Sequence, residues 1–129
     1  MIRLLICGSR TLEGTDSLPN MTKFITNILD KLDITKVECL ITGMARGADK
    51  IGMIWALNKD IEIIQCPADW SQGKKAGILR NIEMLTIHKP THVLAFIDKR
   101  DSNFPSTGTK HMINISEKAG VPVKVIEVN

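Results

Sequence analysis

The chain has no tyrosine, and its two tryptophans and three phenylalanines bring aromatic residues to only 4% of 129. So few rings cannot interleave with basic residues into a stacking platform for single-stranded nucleic acid. Charge of one sign is not in large excess either. Seventeen Lys and Arg against 14 Asp and Glu leave a formal net charge of +3, short of the strongly basic balance of a DNA-coating protein and better suited to a small anionic ligand. Cysteine is limited to Cys7, Cys39 and Cys66, an odd, unclustered set within apolar runs. That pattern excludes a disulfide framework and points to reduced thiols in the cytoplasm. His88, His92 and His111 show no metal-ligand spacing with them, so no metal site is expected. No apolar run approaches eighteen residues, and the N-terminal run is too short for a signal peptide, so neither membrane insertion nor export is expected.

Five short apolar runs remain: Ile2 to Cys7, Val37 to Ile41, Ile61 to Cys66, His92 to Ile97 and Val121 to Val128. Helical periodicity fills the gaps. Leu18, Met21, Phe24, Ile25, Ile28, Leu29 and Leu32 share one face, with Asp16 or Ser17 as N-cap and Pro19 in the first turn. Further helices are predicted from about Gly47 to Lys59, Lys74 to His88 and Thr107 to Ala119. Alternating strands and helices imply parallel βαβ units. The first and fourth runs are continuously apolar and read as central strands, whereas Glu62 and Gln65 in the third, and the alternation of Val123 to Glu127 in the fifth, read as edges. The expected fold is therefore a single domain spanning 1–129, an α/β Rossmann-like, doubly wound five-stranded parallel sheet of order 3-2-1-4-5 with helices on both faces. Its ligand crevice would open where the order reverses, beyond strands one and four.

The strand ends carry the candidate chemistry. Gly8, Ser9 and Arg10 follow the first run; they suit a phosphate, and equally an ordinary strand-to-helix turn. Thr42, Gly43, Arg46, Gly47 and Asp49 follow the second and enter a helix N-terminus that favours an anion, although Asp49 also complements the helix dipole by itself. Neither G-x-G-x-x-G nor a Walker loop is present. After the third run, Trp70 is placed to stack on a base and Asp69 to bond a ribose or exocyclic amine. Lys74 and Lys75 oppose the helix dipole, which a nearby anion would explain, and Arg80 and Asn81 follow on the helix. Trp55 reads as core packing. The loop of nine residues from Asp98 to Ser106 exceeds the usual length and leads into Ser106, Thr107, Gly108, Thr109 and Lys110, hydroxyl and N–H donors for a phosphate or a simple N-cap.

Together these pieces resemble the SLOG superfamily, named for the DNA-processing Smf protein and the LOG phosphoribohydrolases, and in particular its small YspA-like members. The resemblance rests on Ile6 to Arg10, Ile41 to Gly43 with Arg46 to Asp49, Pro67 to Trp70 with Gly73 to Gly77 and Arg80-Asn81, and Ser106 to Thr109. It implies a Rossmann-like fold that binds a nucleotide or nucleotide-derived ligand; the expected function is that of a sensor or sequestering protein for such a ligand, ADP-ribose for example, with no required cofactor. LOG-type hydrolases carry P-G-G-x-G-T-x-x-E, and Met112 stands where that Glu would be. A thioether accepts no proton, so N-glycosidic hydrolysis, the alternative activity, would need another carboxylate, with Asp69 and Glu83 as candidates. The catalytic residues are thus unassigned. A homo-oligomer is compatible with an exposed helix face that the sequence does not locate.

Overall fold

The computed structural model describes residues 1–8, 18–44, 47–73, 75–98 and 107–128, with the backbone alone for residues 18–22, 98, 107 and 128. Five strands alternate with four helices: β1 (Ile2–Gly8), α1 (Leu18–Leu29), β2 (Val37–Thr42), α2 (Ala48–Asn58), β3 (Glu62–Gln65), α3 (Lys75–Thr86), β4 (His92–Asp98), α4 (Thr107–Lys118) and β5 (Val123–Val128). The strands pair in parallel in the order β3-β2-β1-β4-β5. This is the expected Rossmann-like order, with β1 at the centre and the polar runs at the edges.

Alternation along each strand builds two cores. On one face Leu4, Ile6, Leu40, Leu94 and Phe96 pack beneath Ile25 and Leu29 of α1 and Ile51 and Trp55 of α2. On the other, Leu5, Cys7, Cys39, Ile41, Val93 and Ala95 pack against Met84 of α3 and Met112 of α4. Because both faces are covered, the central strands carry continuous apolar stretches, Leu4 to Cys7 in β1 and Val93 to Ile97 in β4. Trp55 is buried as expected, and its indole N–H donates to Asp30 at 2.9 Å, tying α2 to the end of α1.

The element boundaries differ from the sequence pattern where the backbone finds other partners. The first helix ends at Leu29 rather than Leu32, because Lys31 and Leu32 donate three residues back, to Ile28 and Leu29, and so tighten the last turn. Leu32 still packs against the core. A short 3-10 helix, Ile34–Lys36, follows, capped by Asp33 accepting from the Thr35 N–H. Ile61 donates to Ala56 at the end of α2, so the third strand starts one residue later than its apolar run. The fifth run begins pairing only at Val123: Val121 closes onto Ser116, and Pro122 has no N–H to give. No described helix is long and apolar enough to cross a membrane.

Candidate functional site

The carboxyl ends of β1, β2 and β4, and the N-termini of α2 and α4, meet at the switch point. At the centre stands Gly8, where a Cβ would lie 2.6 Å from the Phe96 carbonyl oxygen and 2.7 Å from the Ala48 Cβ. The missing side chain lets β1, β4 and the start of α2 close together. Its closeness thus serves the framework. The backbone beyond it, Ser9 and Arg10, lies outside the described residues.

Beyond β2 the chain is held by its own polar groups. Gly43 N–H donates to the Asp49 carboxylate at 3.2 Å, and Met44 N–H donates to the Thr42 hydroxyl at 3.1 Å. Thr42 and Asp49 are both buried, so these two side chains shape the turn that the sequence assigned to ligand contact. Gly47 at φ 80° opens α2 without a side-chain cap, and Asp49 is the acidic residue of the first turn. The N-terminal end of the helix carries partial positive charge there. Met44 holds a left-handed φ of 58°, a costly conformation for a residue with a long side chain. No sequence signal marked it. Arg46 lies outside the described residues.

From α3, Arg80 reaches across to β2, its Nη1 donating to the Gly43 carbonyl at 2.9 Å. Its Nε is buried and meets no acceptor among the described residues. Asn81, also buried, donates its amide to the Gly108 carbonyl at 3.1 Å and lies 3.1 Å from His111 Nδ1. The pair of residues thus spans the site in two directions: Arg80 braces the end of β2 and Asn81 braces the first turn of α4. His111 was overlooked in the sequence as a partner of Asn81; its place three residues after Gly108 puts it on the same helix face. Thr109 is buried and Gly108 exposed, with open space around its α-carbon. Ser106 and Lys74 lie outside the described residues, as does the side chain of Thr107.

The segment after β3 forms a 3-10 helix, Trp70–Gln72, where the sequence suggested an open loop. Asp69 caps it, accepting from the Ser71 hydroxyl and N–H and from the Gln72 amide. The Ser71 hydroxyl above all, then the Gln72 amide, holds the exposed Asp69 carboxyl below its ordinary range. Trp70 is 58% exposed and lies beside α3, 3.9 Å from where a Gly77 Cβ would stand. An indole so displayed can stack on a planar ligand.

The base of the crevice is electrostatically coupled to Arg80. Burial pushes the Cys7 thiol well above its ordinary range; Asp49 adds to this and Arg80 opposes it. Cys66 is raised by burial and by Glu83, again with Arg80 in opposition. The Arg80 guanidinium, held on the Gly43 carbonyl, thus places a positive charge at this floor. Met112 is 1% exposed in the core between α4 and the sheet. Among the described residues, no cluster of three His, Cys, Asp or Glu could hold a metal ion.

Residues 2–73 match the family described as YAcAr, the YspA, cpYpsA-related SLOG family. The chain belongs to this family. Membership points in general to a nucleotide-related function, and the matched stretch runs from β1 to Gly73. The Arg80-Asn81 brace and α4 lie beyond that stretch. Over nearly its whole length the chain is also similar to the Gene 61 protein of Mycobacterium phage D29, at 35% identity over 131 residues covering 95% of this chain and 94% of that protein.

Proposed function

We propose that this SLOG chain binds a nucleotide or a nucleotide-derived phosphorylated ligand such as ADP-ribose in the crevice at the carboxyl ends of its strands, as a sensor or sequestering protein. The observation that carries this reading is the double brace from α3. Arg80 on Gly43 and Asn81 on Gly108 hold two loops and two helix N-termini at the switch point, where anionic ligands of such sheets are received. Phosphates are assigned to Gly8, Ser9, Arg10, Gly47 and Ser106 to Thr109, with Arg10, Arg46, Lys74 and Arg80 balancing charge. Trp70 stacks on the base and Asp69 meets the ribose. Thr42, Gly43, Asp49 and Asn81 keep the cradle in shape.

No further cofactor is needed in this reading, and one domain carries it. Three free, buried cysteines support a reducing compartment, the cytoplasm. The binding reading is preferred to hydrolysis because position 112 is enclosed in the core, away from a ligand in the crevice, and the Asp69 carboxyl, held below its ordinary range, is a poor proton acceptor.

The test is mass spectrometry of the purified chain after incubation with AMP, ADP-ribose, NAD and cyclic nucleotides. Bound ligand and released base are read in the same samples. An intact, retained nucleotide is expected. Accumulation of free base with time would replace binding by N-glycosidic hydrolysis, and no retention of any of them would overturn the proposal.

A further inference from the structure

At the opposite end of the sheet the same strands border a second, chemically different space. Ile2 and His92 open β1 and β4, and Val123 opens β5. Over this end the last turn of α1 brings Ile28 and the turn that follows it brings Lys31 and Leu32, while α2 packs on α1 and on β1, β2 and β3. Among the described side chains, the β4–β5 side of this face is therefore only partly roofed. A cavity of about 550 Å³ remains there, floored and walled by Ile2, Leu4, Ile28, Leu32, Leu94 and Ile126. Its size falls within the range of small-molecule sites. At about 3.3 Å per residue of β1, the cavity's Ile2 and Leu4 lie roughly 20 and 13 Å before Gly8, while Ile126, paired with Phe96, closes the cavity at the level of Gly8 two strands away.

Among the described residues, the two ammonium groups around this apolar space are of one sign. Among the described residues, Lys31, Lys124 and His92 line it, and no carboxylate does. Neither lysine has an ion-pair partner among the described residues. The His92 Nδ1 is occupied by the Thr91 hydroxyl at 2.8 Å, which leaves Nε2 for another partner. A nucleotide base would find almost none of its hydrogen bonds satisfied against six aliphatic side chains. An aliphatic chain would gain from displacing water there, and a single anionic head would neutralise the ammonium groups at the rim.

We infer that this cavity is a second binding site, for a free amphipathic anion of the fatty carboxylate class. The chain of the ligand lies along Leu4, Leu94 and Ile126, and its head meets Lys31 and Lys124. The site is independent of the nucleotide crevice and does not require that reading to hold.

The experiment uses the full chain with 1-anilinonaphthalene-8-sulfonate, an anionic amphiphile whose fluorescence rises on entering an apolar site, and displaces it with decanoate, decanol or AMP. Decanoate is expected to displace the dye and AMP is not. In the double variant Lys31→Glu/Lys124→Glu, both positions being on the rim, decanoate should bind at least tenfold more weakly while decanol is unchanged. Ile126→Trp, which fills the cavity, should abolish both, with unchanged far-UV circular dichroism confirming the fold. Three outcomes would overturn the inference: no dye or decanoate binding by the folded chain, charge reversal that leaves decanoate affinity unaltered, or sedimentation as a dimer that Ile126→Trp dissociates. The last would make the cavity a subunit contact.

Discussion

Arg80 donates from Nη1 to the carbonyl of Gly43 at 2.9 Å across 37 positions of sequence, and a Cβ on Gly43 would lie 2.9 Å from the same guanidinium. The hydrogen bond and the missing side chain are therefore one device. The end of β2 approaches α3 closely enough to be braced only because the residue there has nothing to put between them.

Gly8 and Gly43 should respond differently to the same added methyl. At Gly8 the new carbon would meet the Phe96 backbone carbonyl and the Ala48 Cβ, neither of which can swing aside, so Gly8→Ala should destabilise by about 2–3 kcal/mol. At Gly43 the obstacle is the end of a flexible side chain, so Gly43→Ala should cost about 1–2 kcal/mol, mainly the lost Arg80 hydrogen bond. Urea unfolding of the two variants checks the order. Equal losses would mean that Arg80 is as fixed as the backbone.

Asn81 is expected to act on the site through α4. Asn81→Ala leaves the Gly108 carbonyl without its side-chain donor and frees His111, which should cost about 1–3 kcal/mol. If the first turn of α4 is part of a phosphate cradle, nucleotide affinity falls as well. A double-mutant cycle with His111→Ala measures the coupling, expected at about 0.5 kcal/mol or more for side chains in direct contact. An additive result would show that the Asn81–His111 approach carries no energy.

The strand order was legible because strand burial writes itself into composition: β1 shows no polar residue from Leu4 to Cys7, while β3 carries Glu62 and Gln65 on its exposed positions. The positions of the site pieces followed from that order. What each polar residue does there was less accessible. Asp49 and Asn81 were candidates for ligand contact; in the fold Asp49 accepts from the Gly43 N–H, and Asn81 donates to the Gly108 carbonyl and lies against His111. Such partnerships depend on which helix lies beside which loop, and periodicity reports a helix's buried face without its neighbours. The left-handed Met44 and the two 3-10 helices were invisible for a related reason. They are set by local bonds from Thr42, Asp33 and Asp69, residue types that are equally common in ordinary turns.

The Cys7 thiol should make stability fall in alkali. Its pKa is raised in the folded chain, chiefly by burial, above the ordinary value of 9.0. The native state therefore keeps a proton that the unfolded chain releases. Stability from this group is intact below pH 9 and is lost as pH rises beyond it, by up to about 1.4 kcal/mol per pH unit. Urea unfolding between pH 8 and 10 should show a shallower decline for Cys7→Ala than for the unmodified chain. In the same pH range Cys7 should react with a thiol reagent only as fast as the chain opens, and rapid stoichiometric labelling at pH 8 would contradict its enclosure.

Restoring the motif carboxylate should damage this fold rather than create an enzyme. Met112 sits at 1% exposure with Leu5, Cys7, Met84 and Ala95, so Met112→Glu places an acid in an apolar core out of reach of water. Burial would raise its folded pKa above the unfolded value of about 4.3. The unfolded chain then loses the proton first, and stability falls as pH rises above that value, so the variant should be closer to the unmodified chain at pH 5 than at pH 8. A loss of several kcal/mol at pH 8 is expected, with no base released from AMP. Normal stability at pH 8 together with base release would mean that α4 can turn residue 112 toward the crevice, and the core assignment of this position would fail along with the preference for binding over hydrolysis.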